Sequence, residues 1–240
     1  MTDAAKVYTP AFFNQISGAS SSSASVAVPL ILSLFRDVSS VADVGCGAGA
    51  WLEAFLKAGI PTVRGFDGGG VELSQLRIPE SCFVRTDLAN PPTIDERFDL
   101  AISLEVAEHL PESSAQNFIR FLTGLADRIV FSAALPGQGG KDHINEQHIS
   151  YWRKQFEAFG YSLYDVIRPK LWHDDRVMSF YRQNMIVAVK DGCAPSHWRA
   201  VTDADLVDVV HPEYLLHFRR KAARKRQFYR QFMPWHWWSK

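Results

Sequence analysis

Three glycines at alternate positions constrain this 240-residue chain more than any other feature. They follow Val41–Val44, a short run with β-branched residues that predicts a buried strand. After them, Ala50–Lys57 has the composition of a helix, with its large apolar side chains on one side. Gly45, Gly47 and Gly49 let the backbone turn tightly and approach a ligand that a Cβ atom would exclude. This order of strand, glycine turn and helix predicts the first unit of a doubly wound α/β sheet that opens a nucleotide crevice.

The spacing of these glycines decides between ligands. The chain reads Asp43-x-Gly45-x-Gly47-x-Gly49, which differs from the G-x-G-x-x-G of dinucleotide-binding proteins, and no P-loop Lys-Ser/Thr follows. An acid beside the turn repels a phosphate but suits a cation, and S-adenosylmethionine (SAM) carries a sulfonium and an ammonium. The stretch resembles motif I of the class I SAM-dependent methyltransferases. The resemblance implies SAM as the cofactor, held by Asp43, Gly45, Cys46, Gly47 and Gly49.

Two further predicted strands lead to acidic residues that fit the same family. Asp67 falls 20 residues after Gly47, where a doubly wound fold places the carboxylate that binds both ribose hydroxyls. Gly68 follows it and permits close approach of a ligand. After the next short strand come Asp87 and Leu88. In the family, an acid here meets the adenine amino group, and the next backbone amide meets a ring nitrogen; a turn cap is the alternative for Asp87.

The fourth predicted strand, Phe98–Leu104, leads into Glu105–Pro111 at its carboxyl end, where open α/β sheets place their chemistry. Together with Asp99 this region resembles motif IV, and the resemblance implies that Leu104 contacts the cofactor. The family match covers about residues 26–190. It implies a Rossmann-like fold, namely a seven-stranded, mostly parallel sheet with helices on both faces. The last strand, predicted at Gln183–Val189, is expected to run antiparallel at the sheet edge.

A polar, glycine-rich loop, Leu135–His148, follows the fifth predicted strand and is expected on the catalytic rim. Loops held by a rigid scaffold carry function, so Asn145, Glu146 and Gln147 are predicted to contact the acceptor. The loop, with the later Tyr181–Asn184, resembles a bacterial subgroup encoded beside polysaccharide and secondary-metabolite genes. The predicted reaction is therefore methyl transfer from SAM to a hydroxyl of a small molecule or sugar. Amines stay open as acceptors.

Transfer to a hydroxyl needs a base that takes the proton. His109 is the first candidate, because imidazole titrates near neutral pH and this position faces the cofactor crevice in the family. His143 on the rim loop is the second candidate, and Glu105 at the strand end completes the catalytic set. For both histidines a structural role, such as capping or loop hydrogen bonding, stays open.

A metal site is a sharper alternative. If residues 105–109 are helical, Glu105, Glu108 and His109 share one face. With His143 or His148 they would ligate a divalent ion. This set resembles that of the small-RNA 3′-terminal 2′-O-methyltransferases, in which a metal coordinates vicinal hydroxyls. The same Glu-Val-x-Glu-His string also occurs in metal-free members, so metal use and metal identity are left open.

Two other functions compete with catalysis by methyl transfer. A non-catalytic module would bind SAM and turn nothing over. An NAD-dependent oxidoreductase is disfavoured, because the glycine spacing differs from its fingerprint and no catalytic Tyr-x-x-x-Lys is found in the sequence.

Composition is ordinary for a globular protein, with 47% hydrophobic and 22% charged residues and a formal net charge of zero. Cys46, Cys82 and Cys193 show no C-x-x-C pairing, which argues against a disulfide framework or a zinc knuckle. No window offers the ~20 apolar residues of a membrane span. The N-terminus also lacks the pattern of a signal peptide. Together these features predict a cytoplasmic protein.

We divide the chain into residues 1–25, an N-terminal cap or lid; 26–190, the methyltransferase domain; and 191–240, a C-terminal extension. The spacing of Tyr8, Phe12 and Ile16 predicts a short amphipathic helix, either a lid over the cofactor or an arm packed on the core. Ser20–Ser23 are predicted to cap a separate helix that has Pro29 in its first turn.

The extension is basic and rich in tryptophan. Residues 219–230 hold seven Lys and Arg and no acid, and the chain closes with Trp235, Trp237 and Trp238. Basic residues attract anionic headgroups and tryptophan prefers the membrane interface, so peripheral attachment to the inner membrane face is one prediction. Nucleic acid is the competing partner. The third alternative is a solvated helix whose tryptophans pack on the core or on a second subunit, and the oligomeric state is left open.

Overall fold

The structure is a computed structural model. It describes residues 10–68, 70–203, 205, 207–216 and 219–220, with side chains from residue 20 onward. Seven strands form one sheet: β1 (Ser40–Val44), β2 (Thr62–Asp67), β3 (Phe83–Arg85), β4 (Leu100–Leu104), β5 (Arg128–Ser132), β6 (Tyr161–Tyr164) and β7 (Ile186–Lys190). Six α-helices are described before residue 191: α1 (Pro10–Leu34), α2 (Ala50–Lys57), α3 (Ala115–Leu125), α4 (Ile149–Glu157), α5 (Arg168–Leu171) and α6 (Ser179–Asn184).

The strand order is β3-β2-β1-β4-β5-β7-β6. The first five strands are parallel, and β7 runs antiparallel to β5 and β6. The predicted Rossmann-like fold with an antiparallel last strand is therefore confirmed. The predicted position of that strand is wrong, because β7 lies between β5 and β6, and β6 forms the edge. Ile186 to Val189 are all buried, because both faces of β7 are covered by hydrophobic clusters.

Helices cover both faces of the sheet. Successive β1 residues alternate between two hydrophobic clusters, with Ala42 and Val44 in one and Val41 in the other. The first cluster includes apolar residues of α3 and α4, and the second includes residues of α1 and α2. Because β1, β2, β4 and β5 are parallel, their carboxyl ends meet at one edge, which is where the glycine turn and the rim loop emerge.

The N-terminal helix differs from the prediction. One helix, α1, runs through Ser20–Ser23, so these serines do not cap a new helix, and Pro29 lies in the helix interior. The serine side chains make tertiary contacts instead: Ser20 Oγ lies 3.2 Å from Tyr181 OH, and Ser23 Oγ accepts a hydrogen bond from the Met178 amide at 3.0 Å. The predicted lid residue Tyr8 and the side chains of Phe12 and Ile16 lie outside the described part.

The chain divides into two compact units, residues 1–208 and residues 209–240. The boundary predicted at residue 191 falls inside the first unit, and α1 crosses the boundary predicted at residue 25. Two residues beyond the boundary predicted at residue 191 pack on the fold: the ring centroids of Trp198 and Phe35 lie 5.5 Å apart, and the Val201 amide donates to Leu163 O at 2.7 Å. The three C-terminal tryptophans and most of the basic run lie outside the described residues. Within the described part, no helix is both long and apolar enough to cross a membrane.

Candidate active site

The glycine turn adopts backbone angles that other residues rarely reach. Gly45, Gly47 and Gly49 all have positive φ, of 85°, 52° and 85°. A Cβ on Gly45 would lie 2.2 Å from Val106 Cγ2, so the turn packs directly against the segment that follows β4. The amides of Gly45 and Cys46 both donate to Phe66 O, which ties the turn to the end of β2. The glycine turn and the segment that carries His109 are thus in contact.

Two carboxylates lie at this turn. Asp67 Oδ2 accepts a hydrogen bond from the Gly47 amide and Oδ1 accepts one from the Gly68 amide, both at 2.7 Å. Asp43 is buried, and no described residue donates a hydrogen bond to its Oδ2. Burial raises the pKa of Asp43 well above its usual value, and the charge of Asp67 adds to the effect. Burial also raises the pKa of Asp67, against the two amide bonds. This arrangement disfavours a phosphate and favours a cation.

The adenine-side candidates lie at the neighbouring strand end. Asp87 is exposed and accepts a hydrogen bond from the Ala89 amide at 3.0 Å, which is the local turn contact that the alternative predicted. Leu88 and Leu104 are both buried, at 8% exposure. Asp99 precedes β4 and accepts hydrogen bonds from the Ser39 and Ser40 amides, so it lies at the opposite edge of the sheet from this site.

The segment after β4 is not the α-helix that the metal hypothesis required. Glu105 has a φ of +57°, and only Ala107–His109 form a single 3₁₀ turn. The left-handed residue redirects the chain, so Glu105 does not share a face with Glu108 and His109. Its carboxylate accepts hydrogen bonds from Asn184 Nδ2 at 3.0 Å and Gln138 Nε2 at 2.7 Å. Burial raises the pKa of Glu105.

Glu108, His109 and His143 converge at this point. Glu108 is fully buried, and within the described residues neither carboxylate oxygen completes a hydrogen bond, although the amides of Glu108 and Ala134 lie near them. Burial therefore raises the pKa of Glu108 well above its usual value. The ring centroids of His109 and His143 lie 4.8 Å apart, in an edge-to-face arrangement. Burial, together with the charge of His143, lowers the pKa of His109.

The rim loop is organised around Glu146. Its carboxylate accepts hydrogen bonds from the Gly137 and Gly139 amides at 2.7 Å and lies 2.8 Å from His143 Nδ1. Burial opposes ionisation, but these bonds outweigh it and hold the pKa of Glu146 below its usual value. A Cβ on Gly140 would lie 2.1 Å from His143 Nε2, so this glycine makes room for the imidazole ring.

The other two predicted acceptor residues connect the loop to the fold. The Asn145 amide donates to Glu108 O at 3.0 Å, and the Gln147 amide donates to Ala134 O at 3.2 Å. Gln147 Nε2 also donates to Asn145 Oδ1. The structure thus shows loop-shaping contacts for these residues.

The metal candidates change with this geometry. Among the described residues, one group of possible ligands brings its atoms within 4.8 Å of one another: Glu108, His109 and His143. Glu105 is bound to amides instead, and His148 is largely exposed, with its Nδ1 4.0 Å from Asp208 Oδ2. Sequence reasoning assigned no role to Gln138 or Asn184, although both lie in segments that it singled out, because their contacts span 33 and 79 residues.

Comparison with known proteins decides the family. The sequence model of a family described as a methyltransferase domain matches residues 42–124, from β1 through α3. The chain carries a class I SAM-dependent methyltransferase domain. Its cofactor is SAM, and the match decides against the NAD-dependent and non-catalytic alternatives. No curated protein sequence matches the chain.

Solved methyltransferases share the fold at low sequence identity. CalS10, an amino pentose methyltransferase from Micromonospora echinaspora, superposes with a TM-score of 0.56 at 17% identity, over 76% of this chain and 98% of that one. KedS8, a sugar N-methyltransferase from Streptoalloteichus, gives 0.56 at 13% identity, over 75% and 91%. The methyltransferase domain of bacterial CtHen1-C gives 0.53 at 20% identity, over 71% and 98%.

Proposed function

We propose that this methyltransferase moves a methyl group from SAM to a hydroxyl of a small-molecule or sugar acceptor. The observation that carries the proposal is the pair of His109 and His143 at the carboxyl edge of the sheet. Val106, three residues before His109, packs on Gly45, so the pair lies next to the cofactor turn. Two proteins that share this fold, CalS10 and KedS8, are named as an amino pentose methyltransferase and a sugar N-methyltransferase; their names support a sugar acceptor and keep an amine as the alternative to a hydroxyl.

The histidine pair favours a hydroxyl acceptor for a chemical reason. The sulfonium of SAM is already a good leaving group, so the protein mainly has to align the acceptor and exclude water. A hydroxyl must also lose its proton to a base, whereas a neutral amine already presents a lone pair. In the proposal His109 takes the proton, because burial keeps its pKa low and its ring neutral. His143 is the second candidate, with its ring orientation set by Glu146.

In the same proposal the cofactor lies along the strand ends from β1 to β3. Asp67 binds the ribose hydroxyls, Asp43 faces the cationic methionine part, and Asp87 with the Leu88 amide meets the adenine. Asn145, Glu146 and Gln147 act on the acceptor through the shape of the rim loop. Asn145 ties the loop to the segment after β4 and Gln147 ties it to Ala134, while Glu146 accepts two glycine amides within the loop.

Incubation of the enzyme with methyl-labelled SAM and extracts of the source organism tests the reaction. We expect label in a product whose methyl group is bound to oxygen. Products labelled only on nitrogen would move the acceptor to an amine and would overturn the base assignment with it.

A metal-dependent reaction is the second candidate, favoured by the cluster of Glu108, His109 and His143. The donors fit a divalent ion, because a carboxylate with two imidazoles suits several such metals and the buried Glu108 oxygens have no described hydrogen-bond partner. Glu146 beside His143 Nδ1 is the outer carboxylate that often orients a metal-binding histidine. A bound ion would hold vicinal hydroxyls of a sugar or RNA acceptor and lower their pKa.

Metal removal separates the two candidates. Under the metal-dependent alternative, exhaustive dialysis against EDTA abolishes methyl transfer and Mg²⁺ or Mn²⁺ restores it. Calorimetric titration of the dialysed protein with each ion should then show binding that Glu108→Gln weakens. Full activity after chelation, with no calorimetric binding, leaves the metal-free reaction.

We also propose that the C-terminal segment attaches the enzyme peripherally to the inner membrane face. Four described residues of this segment, shortly before the basic run, expose large apolar side chains: Val209, Val210, Leu215 and Leu216, at 38%, 49%, 54% and 50%. The seven basic residues follow directly in the sequence. Each basic residue near an anionic surface contributes about 1 kcal/mol, so this number suffices for reversible binding.

Co-sedimentation with vesicles tests the attachment. The full chain should pellet with phosphatidylserine-containing vesicles at low salt, and neutral phosphatidylcholine vesicles should leave it in the supernatant. A full-length variant with glutamine at all basic positions of the run should stay in solution with both: Arg219, Arg220, Lys221, Arg224, Lys225, Arg226 and Arg230. Equal partitioning of the two proteins rejects the membrane, and retention on RNA instead would identify nucleic acid as the partner.

A further inference from the structure

Two buried polar side chains and the half-buried Glu105, from distant parts of the chain, form a closed hydrogen-bonded ring. Glu105 follows β4, Gln138 lies in the rim loop and Asn184 ends α6. Asn184 Nδ2 donates to Glu105 Oε1 at 3.0 Å and to Gln138 Oε1 at 2.9 Å. Gln138 Nε2 donates to Glu105 Oε2 at 2.7 Å and closes the ring. The ring therefore joins the end of β4, the rim loop and α6.

The ring leaves little freedom to its members. Asn184 uses both amide hydrogens in it, and both carboxylate oxygens of Glu105 accept. Gln183 Nε2 donates to Asn184 Oδ1 at 3.1 Å, which fixes the side of the Asn184 amide that faces the ring. Gln138 and Asn184 are 8% and 1% exposed. A buried polar network that satisfies its members specifies one arrangement, because each lost donor leaves a buried acceptor unpaired.

The ring is connected to His143 through the backbone of the rim loop. Gln138 lies between Gly137 and Gly139, the two residues whose amides donate to the Glu146 carboxylate. Glu146 in turn lies 2.8 Å from His143 Nδ1. A displacement of Gln138 would therefore move both amides that hold Glu146, and with them the orientation of the imidazole.

We propose that Asn184 is a positioning residue for methyl transfer. It holds Gln138 against Glu105, and so fixes the rim loop in the conformation in which His143 faces His109. Asn184 does not touch the reacting groups; it acts through Gln138, the loop backbone and Glu146. Its importance for catalysis rests on the proposed function of the histidine pair. The position of the rim loop, however, can be measured without an acceptor.

Asn184→Asp is the decisive variant, because aspartate has nearly the shape of asparagine but donates no hydrogen bond and places a charge beside Glu105. Hydrogen exchange of the full-length protein should show about tenfold faster exchange of the loop amides that are hydrogen-bonded in the wild type. These amides belong to Gly137, Gln138, Gly139, Ile144, Asn145 and Gln147. Diethyl pyrocarbonate should also modify His143 faster, while the amides of β1 and β4 keep their protection.

Tyr161→Phe is the matched control. It removes a hydroxyl whose oxygen lies 3.0 Å from Thr123 O and 2.8 Å from Ala126 O, before β5 at the opposite edge of the sheet, and should leave the rim loop unchanged. Wild-type protection of the loop in Asn184→Asp would overturn the proposal, and so would equal acceleration of all amides, which indicates global destabilisation. If Asn184→Asp does not fold, Gln138→Glu, which removes the donor to Glu105, must give the same local effect. Failure of the wild type to methylate a hydroxyl would overturn the proposed function alone.

Discussion

His109→Ala is expected to lower the rate of methyl transfer by roughly 10²–10⁴-fold, the usual contribution of a positioned base. The side chain lies at the carboxyl edge of the sheet, against His143 and beside the segment that packs on the glycine turn. Its removal takes away the proton acceptor and none of the proposed cofactor contacts, so SAM affinity should stay nearly unchanged. Single-turnover rates with labelled SAM, together with calorimetric SAM titration, measure the two effects separately.

His173→Ala is the control, since His173 is exposed and lies outside the cluster. It should retain wild-type turnover and affinity. Retention of most activity by His109→Ala would remove His109 from the base role. A large loss in His143→Ala alone would then assign that role to His143, and small losses in both would indicate a reaction without a protein base.

Asp67→Ala is expected to weaken SAM binding by ~1.5–3 kcal/mol, because charge-assisted hydrogen bonds to the ribose hydroxyls are lost. The structure adds a second reason. The carboxylate accepts hydrogen bonds from the Gly47 and Gly68 amides, so the variant also loses the bonds that hold the glycine turn. Calorimetric titration with SAM measures the affinity, and the thermal midpoint of unfolding shows whether the fold is retained.

Asp99→Ala serves as the control for Asp67→Ala. Its carboxylate also accepts hydrogen bonds from backbone amides, those of Ser39 and Ser40, but at the opposite edge of the sheet. The control should lose stability and keep its SAM affinity. Unchanged SAM affinity in Asp67→Ala would exclude Asp67 from the cofactor site.

The parts of this fold that could be predicted from the sequence are those encoded within a few consecutive residues. Val41–Val44 and Ala50–Lys57 show their periodicity locally, and the glycines between them have few alternatives to a tight turn. Parallel strands place their carboxyl ends at one edge, so the approximate location of Asp67 and His109 followed from strand order alone.

The errors arose where a distant partner decided the local structure. Ser20–Ser23 have the composition of a helix cap, yet they lie within α1 because their hydroxyls reach partners more than 150 residues away near α6. The last strand looked like an edge strand in sequence order, but the order of pairing places β6 outside it. Periodicity carries no information on either contact.

The same distinction holds for the active site. The sequence by itself determined the fold class, the glycine turn and the set of acids and histidines at the sheet edge, because these depend on residue type and chain order. Only the tertiary structure decided which of them meet. It turned Glu105 away at a left-handed residue and bound it to Gln138 and Asn184. It also brought His143 to His109 across 34 positions of sequence. Hydrogen bonds between buried side chains require three-dimensional proximity and leave no periodic trace in the sequence.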